Sequence, residues 1–520
     1  MTSYVIAKDV NDGSDIALLG KMANRHGLIA GATGTGKTVS LRKLAESFSA
    51  AGVPVFLSDV KGDLSGLARA GDGAGKVGER IAEFGLGDGY LSGFPVRFWD
   101  VYGDSGIPVR VTISQMGAML LARLMGLNDT QEGLLNIVFK VADDNGWHVI
   151  DLKDLRALLQ HVADNAKTYR TQYGNIAPAS VGAVQRGLLQ LESEGAEQFF
   201  GEPSLNLADW IQSQQGKGVI NILNSAKLMQ SPRLYGAFLL WFLAELFGEL
   251  PEVGDLDKPK LVLFFDEAHL LFDNSPKALI EQIEQVVRLI RSKGVGVYFV
   301  TQNPLDLPES ILGQLGNRVQ HALRAFTPKD QKAVRAAADT FRINPNIDTK
   351  TAITELGVGE ALVSFLQADG SPSVVTRAWV LPPSSQLPPL DETVQKNMTA
   401  QDDLMGYYAK AVDNYSAFEA LNDKAAADAK IAEDAATAAA TQAANDKAQT
   451  QTQAQAQNNK TEKSTPSALD GFIGGLTGSR KKSGQGVAYN VADAVGNQLN
   501  KKATQAISRG LMGVIKNILK

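Results

Sequence analysis

Along the first four hundred residues, short mostly apolar runs alternate with longer stretches whose apolar residues recur every three or four positions. The runs at 26–30, 53–58, 219–223, 261–265 and 296–300 are too short for helices and lack a polar face, so they read as strands buried on both sides. Shorter runs at 96–99, 109–113, 319–323, 361–366 and 374–380 read as further strands, and residues 1 to about 25 as a strand or hairpin. Between them, helical spacing predicts helices over 116–143, 151–166, 181–194, 232–250, 276–292 and 328–339. Strands alternating with helices give an α/β fold with a mainly parallel sheet, and the strands at 26–30 and 53–58 should be parallel and neighbouring or nearly so.

The ends of these strands carry the chemistry. After the first buried run comes Gly31-Ala32-Thr33-Gly34-Thr35-Gly36-Lys37-Thr38, which satisfies G-x-x-x-x-G-K-[ST], the phosphate-binding loop. Glycines let the backbone curl around one anion, and the helix after the loop adds its positive end. Lys37 is expected on the β- and γ-phosphates of ATP and the Thr38 hydroxyl in the Mg²⁺ shell. The run at 261–265 ends in Asp266 and Glu267: Asp266 is expected to hold Mg²⁺ and Glu267 to orient or deprotonate the attacking water. His269 reads as a packed or coupling residue. Gln302 ends the strand at 296–300, either as a sensor of the γ-phosphate or as part of the turn before Pro304. A polar residue there marks the division of NTPases with an extra strand between the loop strand and the Asp strand. Asp59, at the end of the strand over 53–58, reads either as a site residue or as a turn former beside Gly62. Arg318 is the first choice for an arginine reaching a neighbouring subunit's γ-phosphate, and Arg324 the second.

Composition narrows the class. At 520 residues, 44% hydrophobic and 21% charged, the chain has enough apolar material for a large core. A net charge of −5 gives no overall basic footprint for nucleic acid. The absence of cysteine excludes disulfides, thiol nucleophiles and thiolate zinc sites and fits a reducing compartment. The N-terminal stretch lacks a signal peptide's basic start and apolar centre, and the longest apolar run, 234–250, carries Glu245 and Glu249. No transmembrane segment is expected, and the cytoplasm is the expected compartment.

The expected organisation is an ATPase domain over 1–385 with a helical insertion at about 115–215, a helical extension over 386–416, an Ala/Gln-rich then Gly/Ser-rich linker over 417–486, and a basic amphipathic helix over 487–520. From 468 onward eight Lys or Arg stand against Asp470 and Asp493. Such a tail fits DNA, an anionic membrane surface or another protein, and equally fits docking on its own ATPase.

Together, the phosphate loop after Asn24-Arg25-His26-Gly27, the strand end Asp59-Val60-Lys61-Gly62-Asp63, the Asp266-Glu267 strand and Thr301-Gln302-Asn303-Pro304 resemble the HerA/FtsK superfamily of P-loop ATPases. The stretches 124–144 and 316–324 are similar to bacterial HerA-like proteins of the YjgR type. The resemblance covers about 1–385 and implies a RecA-like doubly wound sheet, a homo-hexameric ring with nucleotide between subunits, and DNA pumping. It assigns loop, metal, base and sensor roles to Lys37, Thr38, Asp266, Glu267 and Gln302, and a finger to Arg318. HerA proper carries an N-terminal β-barrel, for which this chain has no room before His26. The expected function is an ATP-hydrolysing ring motor on double-stranded DNA; the alternative is a nucleotide-switched scaffold whose basic tail recruits a protein or membrane.

Overall fold

A computed structural model describes residues 2–254, 256–272 and 277–458. The basic helix expected over 487–520 and the Gly/Ser-rich part of the linker lie outside the described residues. The chain divides into two units, Met1–Ala417 and a second from 418 onward.

In the first unit the strands are β1 (Ser3–Asp9), β2 (Asp15–Leu19), β3 (Gly27–Ala30), β4 (Val55–Asp59), β5 (Val96–Asp100), β6 (Ile107–Pro108), β7 (Ser213–Gln214), β8 (Lys217–Gly218), β9 (Ile220–Asn224), β10 (Leu261–Phe265), β11 (Val295–Thr301), β12 (Asn317–Gln320), β13 (Glu360–Ser364) and β14 (Thr376–Val380). All but the small hairpin β7–β8 join one sheet, in the order β2-β1-β14-β13-β12-β3-β11-β10-β4-β9-β5-β6. From β12 to β6 the pairings are parallel; β13, β14, β1 and β2 extend the sheet antiparallel. This is the RecA-like, doubly wound arrangement. β3 and β4 are parallel, with β11 and β10 between them, so the strand bearing Gln302 at its end stands between the loop strand and the Asp strand.

Alternation along the central strands explains why they are apolar on both faces. Val55, Leu57, Val262, Phe264, Tyr298 and Val300 join Phe48 of the helix Lys37–Ala50 in one core. On the other face Phe56 stacks on Trp210 and meets Phe242 of the helix Pro232–Glu249, and Phe265 lies against Phe56 and Phe299. Between β6 and β7 the chain forms the helices Ile113–Met125, Asp129–Asn145, Leu152–Asp164, Ala166–Tyr173, Pro178–Ser193 and Ala196–Phe199.

Three local expectations are corrected. The helix expected over 116–143 is two helices, because Gly126 closes the first in the left-handed region (φ 65°) and Asn128 opens the next in a capping box with Gln131. The strand expected over 109–113 stops at Pro108, and Thr112 instead caps a helix through Gln115. The strand expected over 319–323 ends at Gln320, because the chain turns there to put His321 beneath the phosphate loop.

Beyond β14 the chain folds back over the sheet. Ser384 and Ser385 bond the buried Glu46, and Asp402 and Asp403 pair with Arg97. The described residues from 418 onward belong to the helix Ala417–Asn458, exposed over 422–448, as an alanine-rich segment without an apolar stripe would be. Among the described residues no helix is long and apolar enough to cross a membrane.

Candidate nucleotide site

The parallel register puts the ends of five strands on one edge. Ala30 of β3 pairs with Thr301 of β11 and Gln320 of β12, while Phe265 of β10 pairs with Phe299 of β11 and Ser58 of β4. The residues just beyond each strand therefore face the same crevice, where open parallel sheets take their ligands.

The loop leaving β3 is held from several sides. Gly31 N–H donates to Thr301 O (3.3 Å), Ala32 N–H to Ala322 O (2.8 Å) and the Thr35 hydroxyl to Ala32 O (2.7 Å). Gly31 and Gly36 have φ of 155° and 120°. A Cβ on Gly31 would sit 2.5 Å from His321 Cβ, and one on Gly36 would sit 3.1 Å from His321 Cε1. The helix begins at Lys37 with no side-chain cap at Gly36, leaving its first N–H groups to an anion. Lys37 Nζ donates to Gly31 O (2.7 Å) and Ala32 O (3.2 Å), which folds the ammonium over the loop. Burial lowers its pKa, Lys61 adds to this, and Glu267 and Asp266 oppose it. Thr38, half-buried, is the second residue of the same helix.

Asp266 and Glu267 leave β10 buried, at 5% and 4% exposure. Burial pushes Asp266 up to about 7, with Lys61 pulling it back and Glu267 adding to the rise. Glu267 behaves differently. Burial alone would raise it, but the hydrogen bond and charge of Lys61, with Gln302 and Lys37, together hold it below the ordinary carboxylate value. Lys61 Nζ stands 2.5 Å from Glu267 Oε1, and the Gln302 amide donates to Oε2 at 3.3 Å. His269 Nδ1 lies 3.4 Å from the same Oε2. The Glu267 backbone has φ of 47°, a left-handed conformation that costs a non-glycine residue on the order of 1–3 kcal/mol and recurs at functional sites.

Lys37, Asp266, Glu267 and Gln302 are thus brought together, with Thr38 on the same loop helix. The two arginines are not part of this cluster. Arg318 pairs with Leu28, before the edge, and its guanidinium donates to Leu312 O (3.1 Å) and Leu315 O (3.2 Å). Arg324 is exposed on the segment that leaves β12 at the nucleotide edge. Asp59 closes a turn, accepting from Gly62 N–H (2.7 Å) and Leu64 N–H (3.0 Å).

Two neighbours were not singled out from sequence. His321, fully buried, links Ser40 Oγ and Glu360 O, each at 2.8 Å, and burial holds its pKa down at about 4, so the ring is neutral. Lys61 reaches Glu267 from the turn after β4; a lone basic residue just beyond a buried strand was its only signal. The donor set suits Mg²⁺: hydroxyl and carboxylate oxygens beside a phosphate cradle, with the Asp266 carboxylate buried at the end of β10.

The family model described as helicase HerA-like C-terminal matches residues 5–518. A probable helicase of Methanocaldococcus jannaschii is 30% identical over 151 residues, 28% of this chain and 28% of that protein. The DNA double-strand break repair helicase HerA of Saccharolobus solfataricus is 29% identical over 104 residues, 20% of each chain. The aligned stretches thus span less than a third of these curated relatives. Among solved structures, the bacterial conjugative coupling protein TrwBdeltaN70 matches at 14% identity with a TM-score of 0.49, over 72% of this chain and 89% of that one.

Proposed function

Because the chain belongs to the helicase HerA-like C-terminal family of P-loop ATPases, we propose that it is an ATP-hydrolysing motor that assembles as a homo-hexameric ring and translocates on double-stranded DNA. The convergence of Lys37, Glu267 and Gln302 at one sheet edge supports hydrolysis most strongly. The loop amides and Lys37 bind the phosphates. Mg²⁺, held through Thr38 and Asp266, would offset the charge of the transferring phosphoryl group. Glu267 takes the proton of a water whose oxygen bonds to the γ-phosphorus, while the bond from phosphorus to the β–γ bridging oxygen breaks. Its electron pair leaves with ADP, and inorganic phosphate is the second product. Gln302, already bonded to Glu267, orients that water. Arg324, exposed beyond β12, is better placed than Arg318 to enter a neighbouring subunit's site.

DNA as the track rests on the family and on the name of the Saccharolobus relative. The test is ATP turnover by the full chain with and without duplex DNA across a salt titration. Stimulation that fades as salt rises is expected, since phosphate contacts release counterions. Turnover indifferent to duplex DNA at every salt concentration would remove DNA from the proposal and leave the ATPase.

A further inference from the structure

Glu267, the general base of the proposed reaction, is ion-paired with Lys61. One carboxylate oxygen faces Lys61 Nζ at 2.5 Å; the other accepts from Gln302 at 3.3 Å and has His269 Nδ1 at 3.4 Å. An ammonium this close favours the charged carboxylate and makes it a poorer proton acceptor, so the base strengthens when Lys61 leaves.

The two halves of the ion pair differ in freedom. Glu267 is fixed: its side chain is 5% exposed, its backbone is held at φ 47°, and the peptide beyond it is tied down by Ala268 N–H to Val300 O and Leu270 N–H to Glu267 O, each 2.9 Å. Lys61 has a fixed root and a free end. Its turn is closed by the Asp59 carboxylate on the N–H groups of Gly62 and Leu64, yet its side chain is 42% exposed on a flexible four-carbon stem. Any rearrangement that frees the base therefore moves the lysine. The destination is within the same crevice. Lys37 marks where the β- and γ-phosphates sit, and it is close enough for its charge to act on Glu267, as Lys61 does directly. A triphosphate's terminal group carries more negative charge than one carboxylate and competes for the ammonium; a diphosphate puts no charge at that position.

We propose that Lys61 is a positioning residue that exchanges Glu267 for the γ-phosphate, so that the base is released only when a triphosphate fills the site. This rests on the ATPase reading of the same crevice. It predicts that Lys61 distinguishes ATP from ADP and that its effect is coupled to Glu267, neither of which is expected if the pair only neutralises a buried charge.

The test is a binding cycle on the full chain, with ATPγS and ADP as probes in the presence of Mg²⁺, using Lys61→Met, Glu267→Gln and the double variant, alongside steady-state turnover. Lys61→Met is expected to weaken ATPγS about tenfold or more, the loss of one charge-assisted contact, and to change ADP by less than about twofold. KM for ATP rises in parallel, while kcat falls less than KM rises, because the base no longer waits for release. Glu267→Gln, which frees Lys61, tightens ATPγS several-fold, and that gain disappears in the double variant. Lys61→Arg, keeping the charge, recovers the preference for ATPγS over ADP. Equal effects of Lys61→Met on both nucleotides, or additive effects of the two substitutions on ATPγS, overturn the exchange. A wild-type chain that binds ATPγS but releases no phosphate from ATP instead overturns the ATPase reading, and the cycle separates the two.

Discussion

Replacing His321 with alanine removes the floor of the phosphate loop without touching a nucleotide-binding group. The imidazole bridges the hydroxyl of Ser40, on the loop helix, to the carbonyl of Glu360, and its Cβ and Cε1 lie where Gly31 and Gly36 approach most closely. Both bonds are buried, so deleting the ring leaves an unpaired hydroxyl and an unpaired carbonyl, each costing roughly 1–3 kcal/mol. A void adds on the order of another 1–2 kcal/mol. The expected loss is about 3–8 kcal/mol, a large share of the ~5–15 kcal/mol typical of a folded domain. The pH dependence carries the same signature. Burial holds His321 at about 4 against an ordinary 6.5, so the unfolded chain takes up this proton first. Stability from the neutral ring is fully present above pH 6.5 and is lost as pH falls from there toward 4. Urea midpoints of wild type and His321→Ala between about pH 7.5 and 4.5, each with and without ATPγS and Mg²⁺, read both effects. The variant should be destabilised at neutral pH, bind ATPγS more weakly, and lose part of the acid slope; the rest combines His26, also buried and held at about 4, with the opposite contribution of Asp59, Glu245 and Asp266, whose carboxyls burial raises. A change under about 0.5 kcal/mol with an unaltered acid slope would refute the bridging role.

Glu46→Ala should cost about 3–5 kcal/mol, because the buried carboxylate accepts from the backbone and hydroxyl of both Ser384 and Ser385, and limited proteolysis should then cut near 384–390. Arg324→Ala should leave melting unchanged and lower ATP turnover by about 10³ if it acts across a subunit boundary, with activity partly restored in rings mixed with Glu267→Gln subunits. Arg318→Ala should chiefly lower the melting temperature, since its guanidinium caps the carbonyls of Leu312 and Leu315. Chelation of Mg²⁺ should abolish turnover, and re-addition should restore it.

The way a parallel sheet is built decides which residues can be read from the chain alone. Strands such as Leu261–Phe265 and Val295–Thr301 are buried on both faces, so they stand out as apolar runs, and the next residue faces the ligand edge by topology alone. That singled out Asp266, Glu267 and Gln302 at their strand ends, as the loop motif singled out Lys37, and the fold brings the four together. Their partners were not identifiable, because Lys61 meets Glu267 and His321 meets Ser40 across sequence separations that no local pattern encodes. The break between Gly126 and Asn128 lay hidden inside an apolar periodicity that continues through it, although both cap residues were visible. Asp59 left two readings open from its position alone, and the structure follows the turn former beside Gly62: its carboxylate accepts from the N–H groups of Gly62 and Leu64. Arg318 has the residue type of a finger, but its neighbours' carbonyls hold it.

The most direct measurement is single-turnover phosphate release at saturating Mg²⁺–ATP by wild type, Glu267→Gln and Lys37→Ala, with ATPγS affinity measured on the same preparations. If one crevice binds the triphosphate and supplies the base, Glu267→Gln slows release by roughly 10²–10⁴ while holding ATPγS at least as tightly as wild type, and Lys37→Ala fails to hold it. Glu267→Gln releasing phosphate at the wild-type rate, or Lys37→Ala binding ATPγS undiminished, would contradict it.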